Sequence, residues 1–140
     1  MLTGTPGRNQ NYFLAAFGAP HAGTHPVHGG VYPLLATVVT NSEIQPGDVM
    51  ILYCCGGYPG HDREAPALGV VTKLVGNSHD SRLTDIHYQY FPFCHPIPLY
   101  ALKASIPGLK TNFSLPAYQL QSIPRNAFRA AVAGRQIDWP

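Results

Sequence analysis

At 140 residues and a formal net charge of +2, the chain can bury one sizeable core but lacks the basic excess of a protein that coats duplex nucleic acid. Charged residues make up only 11% of it, against roughly a quarter in most globular domains, and no Lys/Arg cluster appears. This balance argues against binding driven by broad phosphate neutralisation and leaves open a pocket that reads one extruded base, which needs few cations.

Gly and Pro number 14 each, which favours many turns and short strands over long helices. The three cysteines cannot all pair internally, none falls in a CxxC spacing, and no apolar run approaches membrane-spanning length. The first ten residues hold no apolar signal-peptide core. The expectation is a soluble cytoplasmic protein with no membrane association, in which residues 1–10 form a loose arm and residues 11–140 a single domain.

In chain order, residues 11–17 read as an aromatic-rich strand ending in Phe17, stopped by Gly18, Ala19 and Pro20. Residues 21–30 form a polar, glycine-bearing loop with His21, His25 and His28. Residues 31–43 read as a short helix: Leu34, Leu35, Val38 and Val39 share one helical face, and Pro33 suits a first turn. Against that stands the β-branched run from Thr37 to Thr40, which favours extended backbone. Residues 44–48 are a turn built on Pro46, Gly47 and Asp48, leading into a buried strand over residues 49–53. A Gly/Pro-rich loop over residues 54–66 follows, longer than a hairpin needs and therefore a candidate for function. Residues 67–74 form the next strand, 76–84 a loop, and 85–91 an alternating strand. Pro92, Pro96 and Pro98 limit ladder donors, so the chain beyond Phe91 lies at an edge or bends sharply. Residues 98–103 read as a strand running into a turn, and 106–116 as loop. A final helix over residues 125–133 carries Ala127, Phe128, Ala131 and Val132 as its apolar stripe, with Gly134 past its end.

The order of these elements resembles the PUA-like superfamily, and within it the EVE domains and the related YTH readers. The residues that carry the likeness are Gly47 and Asp48 leading into Ile51, Leu52 and Tyr53, the strand through Gly69, Val70 and Val71, and the aromatic strand from Tyr88 to Phe93. The closing run from Pro96 to Lys103, then Ser122, Ile123 and Pro124 before a helix with Phe128, completes the match over residues 11–134. The resemblance implies an α+β, β-rich fold: a twisted, partly closed β-barrel of about five to six strands with flanking short helices. It also implies a non-catalytic module that binds nucleic acid, RNA or DNA, often through a modified base held in a pocket. Carried over by position, the pocket is lined by Phe17, Gly18, Ala19 and Pro20, then Tyr32, then Cys54, Cys55 and Gly56. Tyr32 stands where these relatives usually carry a tryptophan, and Gly18-Ala19-Pro20 replaces their Ser-Glu-Pro.

Physical chemistry adds to that set. An extruded base needs a flat face for stacking, worth about 1–3 kcal/mol, and polar groups for its edge. Tyr32, Tyr58, Tyr90 and Phe91 are candidates for the face; His21, Asp85 and the amides of Gly56 and Gly57 are candidates for the edge. Arg125 and Arg129, at i and i+4 on the last helix, are the candidates for phosphate contact. The bland alternative is that these aromatics pack the sheet and the arginines are merely solvated.

Two other chemistries compete. His21, His25 and His28, with His61 and Asp62, have spacing that suits a metal, and Glu64 or Asp62 is a possible base for a small hydrolase. Cys94 beside His95 raises cysteine–histidine catalysis, which sequence adjacency alone does not arrange. A third alternative is an interaction module without a small ligand. The run from Gly56 to Gly60 lacks the GxxxxGK[ST] pattern of a phosphate loop. No cofactor is implied.

Overall fold

In the computed structural model, which describes residues 10–18 and 26–135, the apolar run Val49–Cys54 forms a strand buried along its whole length. A continuous apolar run fits a strand covered on both faces, and this one is covered so. The elements are β1 (Tyr12–Phe17), a 3-10 turn (Val27–Gly29), β2 (Val31–Leu35), α1 (Ala36–Ser42), β3 (Val49–Cys54), β4 (Glu64–Gly76), β5 (Leu83–Pro98), α2 (Leu99–Ser105), a second 3-10 turn (Pro116–Tyr118), β6 (Leu120–Ile123) and α3 (Arg125–Val132). The six strands form one sheet in the order β2-β5-β4-β3-β1-β6, curled into a half-barrel, in a β-rich α+β fold. β1 and β3 run parallel; every other neighbouring pair is antiparallel. Among the described residues no helix is long and apolar enough to cross a membrane.

Period-two alternation sorts the side chains into two cores. Phe13, Ala15 and Phe17 of β1 and Met50, Leu52 and Cys54 of β3 point into the half-barrel, where they meet Tyr32, Leu34, Ile86 and Tyr88. Leu14 and Ala16 of β1 and Val49, Ile51 and Tyr53 of β3 face the other way, under Leu102 of α2 and Ala127, Phe128 and Ala131 of α3. The Phe128 ring stacks on Tyr12 at 4.2 Å between centroids. Each large side chain so buried contributes about 1.5–3 kcal/mol.

Three sequence expectations are corrected. Residues 31–43 are not one helix: the first half is β2, paired with β5 from Val31↔His87 to Leu35↔Leu83, and only Ala36–Ser42 is helical. Alternating burial of Tyr32 and Leu34 decides it, and Pro33 is tolerated because β2 is an edge strand. Residues 98–103 are not a new strand running into a turn: Pro98 is the last residue of β5 and the N-cap of α2, which buries Leu102 against the outer core. The expected loop 54–66 shortens, because β4 already begins at Glu64 and carries Pro66 at a bulge where the register shifts against both neighbours. Opposite that bulge, β5 holds four unpaired residues between Pro92 and Ile97, the sharp bend that its prolines foretell.

The turn before β3 is fixed by Asp48, which is fully buried. Pro46 and Gly47 (φ 91°) make a type II turn closed by the Asp48 N–H on the Gln45 carbonyl at 3.1 Å. The Asp48 carboxylate accepts the Gln45 N–H at 2.8 Å and the Asn11 N–H at 3.0 Å, so one side chain ties the turn to the start of β1. Removing this buried acceptor takes the partner from two part-buried backbone donors and empties a buried site. Asp48→Ala is therefore expected to lower unfolding stability by about 2–4 kcal/mol, and Asp48→Asn, which turns an NH2 toward one donor, by about 1–3 kcal/mol. Urea titration measures both; a loss below about 0.5 kcal/mol for Asp48→Ala would contradict this role.

Candidate functional site

Parallel neighbours end at the same edge of a sheet, and where the chains diverge their backbone groups face open space. β1 and β3 end side by side at Phe17 and Cys54, and the Cys55 N–H still bonds the Phe17 carbonyl at 2.8 Å. Immediately beyond lies a cleft of about 470 Å³ lined by Ala16, Gly18, Cys55, Gly56, Thr111, Phe113, Ser114 and Gln119. None of these lining residues is charged.

One wall comes from the loop over residues 55–63. The Asp62 carboxylate accepts the Gly57 N–H at 2.6 Å, and His61 Nδ1 lies 3.1 Å from Glu64 Oε2. Turn bonds from Tyr58 N–H to the Cys55 carbonyl and from His61 N–H to the Tyr58 carbonyl complete it. The opposite wall is the segment over residues 106–119, which two glutamines hold. Gln121 Oε1 accepts the Lys110 N–H at 2.9 Å, while its Nε2 donates to the carbonyls of Lys110 and Tyr118, both at 2.8 Å. Gln119 Nε2 donates to the Phe113 carbonyl at 3.0 Å. Phe113 leans on the buried Tyr53 ring, centroids 5.0 Å apart. Desolvation pushes the Tyr53 hydroxyl pKa up to about 12, with nearby Arg63 pulling the other way.

Of the residues expected at a ligand, Gly18, Cys55 and Gly56 converge on this cleft. Phe17, Tyr32, Cys54 and Tyr58 do not; all four are buried in the inner core. Tyr32 lies 4.5 Å from the Phe17 ring, and its hydroxyl reaches the Ala16 carbonyl at 2.8 Å and the Gln119 carbonyl at 3.1 Å. Burial raises its pKa well above the ordinary tyrosine range. The Tyr58 hydroxyl accepts the Val27 N–H at 2.8 Å, and Tyr88 donates to the Val27 carbonyl. On the described side of the expected slot between the two long loops, Tyr58 and Val27 are hydrogen-bonded to each other.

Tyr90 is half-buried against the inner core, and burial raises its pKa as well. Asp85 sits at the other end of the sheet, paired with Pro33 and Val75, where it accepts a bond from Asn77 Nδ2 at 2.9 Å. Arg125 and Arg129 are exposed on α3, whose first turn follows the Ile123↔Tyr12 pair at the end of β1 remote from Gly18. Ala19, Pro20, His21 and His25 lie outside the described residues. Among the described residues no group of three His, Cys, Asp or Glu side chains is placed to hold a metal ion.

Sequence reasoning missed Thr111, Phe113, Ser114 and Gln119. The available signal was an aromatic at position 113 within a polar, Pro/Gly-punctuated loop; the ring is half-buried, packed on the outer core with the rest of it left at the cleft.

No protein-family model matches the chain, and no curated protein matches it. Solved structures do share its fold. A hypothetical protein from Leishmania major is similar at 12% identity and a TM-score of 0.55, over 86% of this chain and 90% of that one. Rpa0253 from Rhodopseudomonas palustris, solved by NMR, is similar at 15% identity and a TM-score of 0.52, over the same shares of 86% and 90%. At such identities the likeness is one of fold.

The three cysteines are free thiols in graded settings: Cys54 buried, Cys55 half-buried, Cys94 exposed. Desolvation pushes the Cys54 thiol up to about 12, and burial raises Cys55 too. Alkylation proceeds through the thiolate. With iodoacetamide at neutral pH, Cys94 is expected to react first, Cys55 slowly and Cys54 only on unfolding. Peptide mass spectrometry over time gives the order; native-state labelling of Cys54 as fast as Cys94 would contradict it.

Proposed function

We propose that the protein is a non-catalytic nucleic-acid-binding module of the PUA-like kind, akin to the EVE and YTH readers, that takes one unstacked base into the cleft beyond β1 and β3. The observation that carries this reading is the cleft's wall chemistry. Uncharged, with one aromatic ring and several neutral hydrogen-bonding groups, it fits a flat neutral ring with a polar edge better than a charged metabolite.

Phe113 supplies the stacking face, backed by Tyr53. Gln119, Ser114 and Thr111 supply side-chain donors and acceptors, and the backbone at Gly18, with nothing within 4 Å of where a side chain would start, can be approached closely. Cys55 is the one thiol in the lining, and its raised pKa makes it a poor nucleophile, which favours binding over covalent chemistry. Three free thiols also suit a reducing compartment such as the cytoplasm. A methylated base is accommodated by volume, since the cleft at about 470 Å³ is larger than one unmodified ring requires.

Fluorescence anisotropy with labelled single-stranded RNA and DNA oligonucleotides, with and without methylated bases, tests the proposal at about 50 mM salt. Binding is expected for at least one strand type, and Phe113→Ala is expected to weaken it about 5- to 100-fold through lost stacking. Absence of binding at this salt, or full affinity in Phe113→Ala, would overturn it.

A further inference from the structure

Arg63 is held in a conformation that an arginine does not choose. Its φ is 54°, in the left-handed region, and its backbone is pinned there because its carbonyl accepts the Leu99 N–H at 3.0 Å. Glycine would adopt this turn without strain, so the side chain at this position carries a modest backbone cost. Residue 63 is exposed, yet its guanidinium is not loose in solvent: a Cβ built on Gly56 would lie 3.0 Å from Arg63 Nε and 3.4 Å from Nη2. The guanidinium therefore lies against the bare backbone of Gly56, which itself lines the cleft.

Its acidic neighbours are engaged elsewhere. Asp62 accepts the Gly57 N–H and Glu64 faces His61, and the ion pairs among the described residues are His61–Glu64 and Arg82–Asp80. A planar guanidinium with an uncommitted edge at the lip of an uncharged cleft is placed to take an oxyanion on two parallel N–H bonds.

The geometry points to Arg63 as the residue that grips a backbone phosphate of the bound strand while the cleft holds its base. This rests on the reading of the cleft as a base site, and it assigns the phosphate contact to the 55–63 loop instead of to Arg125 and Arg129. Gly56 is then the cradle that lets the guanidinium lie flat. Arg63 touches ligand but takes no part in reading the base edge.

The test uses the whole chain and the single-stranded oligonucleotide that binds it best, titrated over a range of salt. Arg63→Gln is expected to weaken binding about tenfold and to reduce the slope of log affinity against log salt by about 0.7, the share of one single-strand phosphate. Arg63→Lys is expected to keep that slope. Arg63→Gly removes the guanidinium while relieving the backbone, so it is expected to lose affinity as Arg63→Gln does with a melting temperature within about 3 °C of the parent. Unchanged affinity and slope in Arg63→Gln would overturn the assignment and leave base binding standing. Parental affinity in Arg63→Gly would overturn it too, by showing that the turn and not the guanidinium matters. Should the parent protein bind no oligonucleotide, the base-site reading falls first and this assignment with it.

Discussion

A tyrosine hydroxyl inside a dry core must find an acceptor, and the one on Tyr32 finds its acceptors on the far side of the sheet. Tyr32 belongs to β2, the strand at one end of the sheet order; Ala16 and Gln119, whose carbonyls it contacts, belong to β1 and to the segment entering β6 at the other end. A flat six-stranded sheet would hold these groups far apart, since strands lie about 4.8 Å from their neighbours. The sheet must curl to bring them together. The Ala16 N–H bonds the Gln119 carbonyl as well, so the same knot that closes the half-barrel fixes a residue of the cleft wall. Fold and site are coupled through that carbonyl.

The position of the cleft follows from which strand pair is parallel. β2 and α1 intervene between β1 and β3 in the chain and carry it back to the same starting edge, so both strands end at the same side. Beyond that edge β3 runs into the 55–63 loop, whose Tyr58 hydroxyl accepts the N–H of Val27, the start of the 3-10 turn that follows β1 in the chain. Tyr88 donates to the Val27 carbonyl as well, so both backbone polar groups of Val27 are held on the inner side of the rim. Among the described residues aromatic rings fill this part of the inner core, and the cleft lies on the outer side, between the 55–63 loop and Phe113.

Much of this was legible in the residues. The strand through Ile51, the turn on Pro46, Gly47 and Asp48, and the helix carrying Phe128 stand where periodicity and turn chemistry put them, because local and long-range preferences agree there. Residues 31–35 were illegible because Leu34, Leu35, Val38 and Val39 satisfy a helical stripe as well as a strand that continues into a helix; pairing with β5 decides the matter, and pairing is not a local property. The site was half legible. Gly18, Cys55 and Gly56 follow from strand ends, which sequence shows. Phe113 and Gln119 arrive from more than 50 residues away in a segment with no periodic signal, placed by the glutamine clamps on Lys110 and Tyr118. The inward placement of Tyr32 and Tyr58 is not legible locally: an aromatic at the start of an edge strand or in a loop looks available, and only the partners of its hydroxyl show that it faces inward.

A scarcity of charge constrains what the cleft can recognise. Several of the chain's few charges are already committed to shaping turns: Asp48 at the entry to β3, Asp62 within the 55–63 loop, and Asp80, whose carboxyl the Arg82 guanidinium holds down at about 2 in the turn before β5. A site furnished from what is left cannot attract its ligand by a strong long-range field. On the proposed reading it discriminates by shape, stacking and neutral hydrogen bonds, each modest in water and each stronger once the cleft is filled and solvent displaced. Such a site loses little affinity to moderate salt and much to a misplaced ring. Rigidity of the walls therefore matters more here than charge, and the wall that carries Gln119 is the one fastened to the hydroxyl of Tyr32.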